Sequence, residues 1–412
     1  MNICFFNRSY WPDQAATGQL LTELAEDLVA RHGCAVTVVA GCALNAAADA
    51  AGRIWRPIER EARNGVTIVR ANGTLYSPRR FAGRAANYLT YFASASAAAF
   101  RVGHPDVVVS LTDPPIVGLA ARWAARRANA RFVFLCEDIF PEVASLLEDF
   151  HNPTVNRTLD RVNRYLLREA DAVVALGERM RARLVDEKGA EPSRVHVIHN
   201  WADCEAIVPG PKDNTFSREM GLADRFVLMH SGNVGLSQNL DVLIEAADRL
   251  RSRDRLAIVI VGEGARREHL EREVQRRGLS NVRFLPYQPK ARLHESFAAA
   301  DAFLVSLKPG IEGYIVPSKL YGILAAGRPF IAAVDPSCEA AEIARTGRCG
   351  VPARPGDPAD LTEKIALLYD DPASTRQLGA NARATALRFD RKTAVQAYYD
   401  LFARVARIAR AA

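Results

Sequence analysis

The sequence of 412 residues has no run of roughly 18–20 strongly apolar residues, which excludes an ordinary membrane-spanning helix. The nearest stretch, Ala85 to Phe100, is uncharged but rich in alanine and serine. The opening shows no basic-then-apolar leader pattern, so a cytoplasmic protein is expected. None of the seven cysteines (Cys4, Cys34, Cys42, Cys136, Cys204, Cys338, Cys349) forms a C-x-x-C pair; they read as buried, reduced thiols. The eight histidines make neither H-E-x-x-H nor a metal-ligand cluster, and His199 and His230 read as structural. The absence of G-x-x-x-x-G-K-[ST] argues against a P-loop NTPase, and no G-x-S-x-G elbow occurs. Zinc-finger spacing, an aromatic-rich ribonucleoprotein motif and a basic tail are also missing, so nucleic acid is not expected as a partner.

What remains is a soluble-enzyme composition: 49% hydrophobic, 25% charged. A net charge of +7 suits an anionic partner: a nucleotide, a lipid diphosphate or an anionic membrane surface. The length suggests two or three domains, with apolar residues enough for two cores. Short β-branched runs alternate with helical patterns. Strands are expected at Asn2–Phe6, Ala35–Ala40, Val66–Arg70, Asp106–Leu111, Arg131–Cys136, Ala172–Leu176 and Val195–Ile198. Helices are expected between most of them, for example Gly18–Arg31 and Val117–Ala128. Runs such as Val107-Val108-Val109 read as strands buried on both faces, hence a parallel sheet in a doubly wound α/β domain. Pro209, Gly210 and Pro211 mark a linker. The alternation then restarts at Phe226–His230, Leu256–Val261, Val282–Leu285, Ala302–Ser306 and Pro329–Ala333. The expected organisation is an acceptor-binding Rossmann-like domain over 1–208 and a donor-binding one over 209–390. A helix over 391–412, with Tyr398, Leu401, Phe402 and Val405 at helical spacing, would pack back across the junction. Ligands of open α/β sheets bind at the carboxyl ends of the strands, so the two domains are expected to face a central cleft.

The strongest local signal runs from Glu312 to Pro329. Pro317 and Ser318 open a helix, with Ser318 placed to cap and Lys319 in the first turn; Gly327 and Pro329 close it. A lysine there opposes the helix dipole and so favours an anionic ligand; a surface lysine on an ordinary βαβ unit explains the same residues. His230 to Leu240 is a second segment. Gly232 and Gly235 allow close backbone approach, and Asn233, Ser237 and Gln238 offer donors, as in a phosphate loop. Gly262 and Gly264 follow the next strand. In the first domain, Glu137 and Asp138 end a buried strand; Asp138 is placed to bond or deprotonate a sugar hydroxyl, or simply to cap the next helix. Gly18 would let a phosphate or acceptor approach a helix start. From Ser77 to Arg101, the cluster Arg79, Arg80 and Arg84 precedes Tyr88, Leu89, Tyr91 and Phe92. This pattern fits a membrane-surface element or a packed helix with a solvated basic end.

With these segments, almost the whole chain resembles the retaining glycosyltransferases of family 4, which have the two-Rossmann GT-B fold. The resemblance rests on the N-terminal strand–Gly loop–helix, Glu137-Asp-Ile-Phe-Pro-Glu142, His199-Asn-Trp-Ala-Asp203, Gly232-Asn233, Val261-Gly-Glu-Gly264 and Glu312 to Pro329. Pro317-Ser-Lys319 and the Glu137 run are similar to the fucosamine- and colanic-acid-type branch, which builds bacterial O-antigen or exopolysaccharide on lipid-diphosphate carriers. The resemblance implies transfer of an N-acetylated amino or deoxy sugar from a UDP-sugar to a lipid-diphosphate-linked saccharide, with retention and without a metal or other cofactor. It implies a peripheral place on the cytoplasmic face of the inner membrane through residues 77–101. The catalytic residues would be Asp138, Glu312 and Lys319. The donor would meet Gly18, Gly232, Asn233, Gly235, Ser237, Gln238, Gly262, Pro286, Tyr287, Ile315, Val316, Pro317, Ser318, Lys319 and Gly322; the acceptor would meet Gly18, Glu137 and Asp138. Two departures stand out. Asn233 and Gln238 occupy places where the family carries arginine and lysine, which leaves Lys319, with Arg328, as the remaining diphosphate cations. Gly322 stands where a ribose-binding glutamate is expected. Two rivals share the fold. A UDP-sugar 2-epimerase would need no acceptor, and a non-catalytic binding protein would bind no UDP.

Overall fold

The structure, a computed structural model, describes all residues except 14, 43–56, 77–80, 148–151 and 412. Ser77, Arg79 and Arg80 of the expected basic cluster therefore lie outside the described residues. The chain forms two compact units: Met1–Ser145 with His151–His199 and Ala394–Ala412, and Asn200–Thr393 with Leu146–Phe150.

The first unit holds an eight-stranded sheet. Its strands are β1 (Asn2–Phe6), β2 (Ala35–Ala40), β3 (Ile58–Arg63), β4 (Val66–Ala71), β5 (Val107–Ser110), β6 (Arg131–Cys136), β7 (Ala172–Ala175) and β8 (Val195–Val197). They lie in the order β3-β4-β2-β1-β5-β6-β7-β8. β3 pairs antiparallel with β4, while β1 pairs in parallel with both β2 and β5. Every residue of β5 and β7 is buried, as strands covered on both faces require. The long last helix, Arg391–Ala411, joins this unit from Ala394 onward. Tyr398, Leu401, Phe402 and Val405 are all buried, and the Phe402 ring meets Phe5 of β1 edge-on at 6.1 Å. Each such side chain contributes roughly 1.5–3 kcal/mol by leaving water. That burial is what holds the helix in place.

The second unit holds β9 (Phe226–Ser231), β10 (Leu256–Val261), β11 (Val282–Leu285), β12 (Ala302–Ser306), β13 (Phe330–Ala333) and β14 (Gly350–Ala353). The order is β11-β10-β9-β12-β13-β14, and every pairing is parallel. The unit begins at Asn200, ahead of the expected boundary at 209. The reason is a set of bonds into its own far end. Ala202 N–H donates to Phe389 O at 3.2 Å, and Cys204 N–H donates to Asp390 Oδ1 at 3.1 Å. Arg383 donates to the carbonyls of Cys204, Ile207 and Ala325 at 2.9, 3.0 and 2.8 Å.

Among the described residues, no helix is long and apolar enough to cross a membrane. None of the seven cysteines is in a disulfide, and all but Cys42 are buried.

Candidate active site

In the second unit the strand order reverses at β9. β10 and β11 lie to one side of it, β12 to β14 to the other. The crevice at the carboxyl ends of β9 and β12 is the ligand position such a sheet provides. Two loops line it: Gly232–Gln238 after β9, and the return from β12 to the helix Lys319–Ala325. Lys308 N–H ties them by donating to Ser237 O at 2.7 Å.

At this point Lys319 Nζ lies 3.1 Å from His230 Nδ1. His230 is the fifth residue of β9 and is completely buried. Its Nε2 faces the Asn233 carbonyl at 3.3 Å. A carbonyl only accepts, so Nε2 carries the proton and Nδ1 presents a lone pair to the lysine. Burial, reinforced by the lysine's charge, holds His230 far below the usual imidazole range, so the ring is neutral. Burial also pulls Lys319 down to about 7. A lysine beside a neutral imidazole, with its charge disfavoured by burial, gains from any anion that reaches it.

The loops above the lysine approach as backbone. Gly232 has φ 135°, and its N–H donates to Val261 O at 2.9 Å. Gly262 has φ 140°; a Cβ there would lie 1.9 Å from Gly232 O. A Cβ on Gly264 would lie 2.3 Å from Val234 O. Only glycine fits these two positions. Val234 N–H donates to Glu263 O at 2.9 Å, and Arg266 N–H to Val234 O at 3.0 Å. Gln238 Oε1 accepts from Gly235 N–H at 3.0 Å, so this side chain braces its own loop. Arg267 supports the loops by donating to Gly262 O at 2.6 Å and Leu285 O at 3.0 Å. The Tyr287 ring lies beside Gly262 and is 42% exposed, leaving a face for a planar ligand; Pro286 beside it is exposed.

The remaining expected donor residues fall into place unequally. Glu312 bridges to Ile315 in a tight loop, and its charge adds to the burial that raises the Cys338 thiol. Val316 is half-buried and Pro317 buried. Ser318 does not cap: it already has helical φ −58° and ψ −26°, and its side chain makes no cap bond. Gly322 packs against an apolar neighbour, since a Cβ there would meet Phe297 Cε2 at 3.0 Å. An acidic side chain at this place would have to displace that ring. Arg328 does not join Lys319. It precedes β13, at the amino ends of the parallel strands, and donates to Gly210 O and Ala298 O at 2.8 and 2.6 Å.

In the first unit the order reverses between β1 and β5. Asp113, after β5, accepts from Arg8 Nε at 3.2 Å and from the Ser9 hydroxyl at 2.6 Å, both after β1. Beside them, Asp138 N–H lies 3.3 Å from Thr112 Oγ1. Burial, with the nearby Asp113 charge, pushes Asp138 up to about 7. Burial and the Asp138 charge push Glu137 up to about 8. The next helix starts at Glu142, so Asp138 is not its cap. Glu142 instead accepts from the buried Lys188 at 2.5 Å, which also reaches Asp160 at 2.7 Å. Gly18 is buried, and its bare face is filled by its own loop: a Cβ would lie 3.3 Å from the Ser9 and Tyr10 backbone.

The sequence did not single out His230 as a functional residue. A histidine at the carboxyl end of an otherwise apolar strand was the available signal. Arg267, four residues after Glu263, was likewise missed.

Two parallel Rossmann-like units with strand-end loops of this kind define the GT-B fold class. Residues 213–385 match the model of the glycosyl transferases group 1, and residues 16–201 match that of a glycosyl transferase 4-like domain. Each half of the chain thus matches a glycosyltransferase domain model. It is 28% identical to the probable glycosyltransferase WbjE of Pseudomonas aeruginosa over 64% of this chain and 66% of that protein. It is 28% identical to the putative colanic acid biosynthesis glycosyl transferase WcaI of Escherichia coli K12 over 59% and 60%. Its match thus spans less than two thirds of each relative. Among solved structures, Anabaena Alr3699/HepE in complex with UDP superposes with a TM-score of 0.74 at 19% identity, covering 98% of this chain and 100% of that one. WaaG, a glycosyltransferase of lipopolysaccharide biosynthesis, gives 0.71 at 17% identity, covering 97% and 99%.

Proposed function

We propose that this chain transfers a sugar, an N-acetylated amino or deoxy sugar, from a UDP-sugar to a lipid-diphosphate-linked saccharide in the building of bacterial surface polysaccharide, with retention. The observation that carries the reading is Lys319, held at the β9–β12 reversal beneath loops that only glycine can form. The diphosphate would take the lysine and the loop N–H groups, and Tyr287 would line the base. As the glycosidic bond to the diphosphate breaks, these groups stabilise the charge that develops on the leaving oxygen. Glu312 would approach the sugar. The kinship with WcaI, named for colanic acid biosynthesis, and the UDP held by the Anabaena neighbour support the choice of donor and product class. The reading includes metal independence, because Lys319 supplies a cation. Incubation with a panel of nucleotide sugars and a lipid-diphosphate acceptor in EDTA, read by mass spectrometry, tests it. Interconversion of free UDP-sugars without an acceptor would replace it with an epimerase.

Asp138 would receive the acceptor's hydroxyl proton. Its carboxyl, at about 7, is neutral in acid and charged above neutrality. Lys319, also at about 7, is charged below neutrality and neutral above it. The free-enzyme rate kcat/KM should therefore rise and then fall about a maximum near pH 7. Asp138→Asn should remove the rising limb and lower the rate by roughly 10²-fold or more. Intact turnover would retire Asp138 as the base.

The acceptor's lipid would bring the first unit to an anionic membrane. Phe100 and Leu89 are each 59% exposed, and Trp123 lies edge-on to Phe100 at 4.6 Å. Arg127 stands over the Phe100 ring at 4.9 Å. Together with Phe92, Phe100 and Trp123 line an apolar groove of about 430 Å³. Co-sedimentation with vesicles containing phosphatidylglycerol should fall several-fold in Phe100→Ser/Trp123→Ser. Equal binding by the wild type and this variant would remove the face from the reading.

A further inference from the structure

The contact between Lys319 and His230 joins the helix Lys319–Ala325 to strand β9. His230 is fully buried and fixed from behind by the Asn233 carbonyl, so its Nδ1 lone pair has one direction to point. That direction is Lys319 Nζ, which donates an N–H to it. The lysine stem passes under the loop, where a Cβ on Gly232 would lie 3.6 Å from Lys319 Cδ. A flexible lysine is thereby held at one place below a backbone that can close on a phosphate.

The geometry assigns His230 the role of positioning residue: it holds Lys319 ready beneath the Gly232 loop, and the diphosphate takes the lysine over as Lys319 gains a proton from solvent. This rests on the donor-site reading above. No covalent bond changes; one proton passes from buffer to Nζ and stays there while the diphosphate is bound. The charged groups on the neighbouring elements have other engagements. Glu263 after β10 pairs with Arg267 at 2.9 Å, Lys308 after β12 donates to Leu146 O at 2.9 Å, and Glu312 bridges to Ile315 within its own loop. Tyr287 after β11 lies toward Glu263. With Lys319 drawn down by burial to about 7, most of its population is neutral at pH 8, so an arriving diphosphate draws in the missing proton.

The test is calorimetry of UDP binding to the whole chain at pH 8, in two buffers of different ionisation enthalpy. At that pH the phosphates of UDP are already ionised. Uptake approaching one proton per UDP is expected. UDP binding without proton uptake would overturn the inference and leave the donor site standing. No UDP binding at all would overturn both. Two variants separate positioning from packing. His230→Asn keeps an acceptor near the place of Nδ1 and should stay close to wild type. His230→Gln keeps a donor toward Asn233 but loses that acceptor, and should weaken UDP binding about tenfold. Equal losses in both variants would reduce His230 to a packing residue.

Discussion

Lys319→Ala is expected to cut sugar transfer by at least about tenfold, because a hydrogen bond to a charged group is worth roughly 1.5–3 kcal/mol. The loss belongs mainly to kcat, since the charge on the diphosphate is greatest as the glycosidic bond breaks. The substitution should leave the fold standing. Lys319 makes its polar contact with His230, and the buried apolar residues of its helix, Leu320, Ile323 and Leu324, stay in the core. Lys319→Arg makes a sharper control. A guanidinium cannot shed its charge when buried, and it is too broad for a site shaped round a single ammonium. It should not restore the rate, and it should abolish the falling limb of the pH profile. Steady-state kinetics with the preferred donor decides the matter; unchanged turnover in the alanine variant would remove Lys319 from the mechanism.

Gly262→Ala is expected to weaken UDP binding by about 100-fold, which corresponds to roughly 2.8 kcal/mol. The added Cβ would stand 1.9 Å from Gly232 O, and φ at this position is 140°, where L side chains are strained. The far side of the contact is backbone, which cannot swing aside as a side-chain tip does. Either the loop after β9 moves, or the loop after β10 does. In both cases the bond from Gly232 N–H to Val261 O and the seat of the Tyr287 ring are disturbed together. The sheet beneath has its own ladder, so the melting temperature should change far less than the affinity. Calorimetry with UDP, alongside a thermal melt, reads both. Wild-type affinity in this variant would show that the glycine loops do not form the diphosphate seat.

The buried strands were plain in the sequence because burial on both faces demands unbroken apolar runs. Leu256–Val261 and Ala302–Ser306 are found at the residues their composition indicates. Two strands gave no such signal. Ile58–Arg63 is an edge strand of alternating charge, Ile-Glu-Arg-Glu-Ala-Arg, and Gly350–Ala353 is an edge strand containing Pro352. The glycines of the loops after β9 and β10 were legible as places of close approach; the partners they approach were not. Ser318 looked like a cap because serine often is one, but the chain enters helical geometry one residue sooner. The distance between Lys319 and Arg328 is a matter of sheet direction. The two are near in sequence yet lie at opposite ends of the helix that separates them, and only the second precedes a strand. His230 shows the same limit from the other side. Its meaning lies in a lysine far along the chain.

The placement of Phe402 against Phe5 bears on how the molecule comes into being on the ribosome. Asn200–Thr393 is nearly continuous in sequence, so the second unit has almost all its parts once Thr393 has emerged. The first unit begins earlier and finishes later: β1 waits for a helix made after nearly all of the second unit. A nascent chain stalled before residue 394 would therefore carry a second unit ready to close and a first unit with an apolar strip of β1 still bare. The unit that begins first is completed second, which leaves its apolar strip uncovered for longer during synthesis.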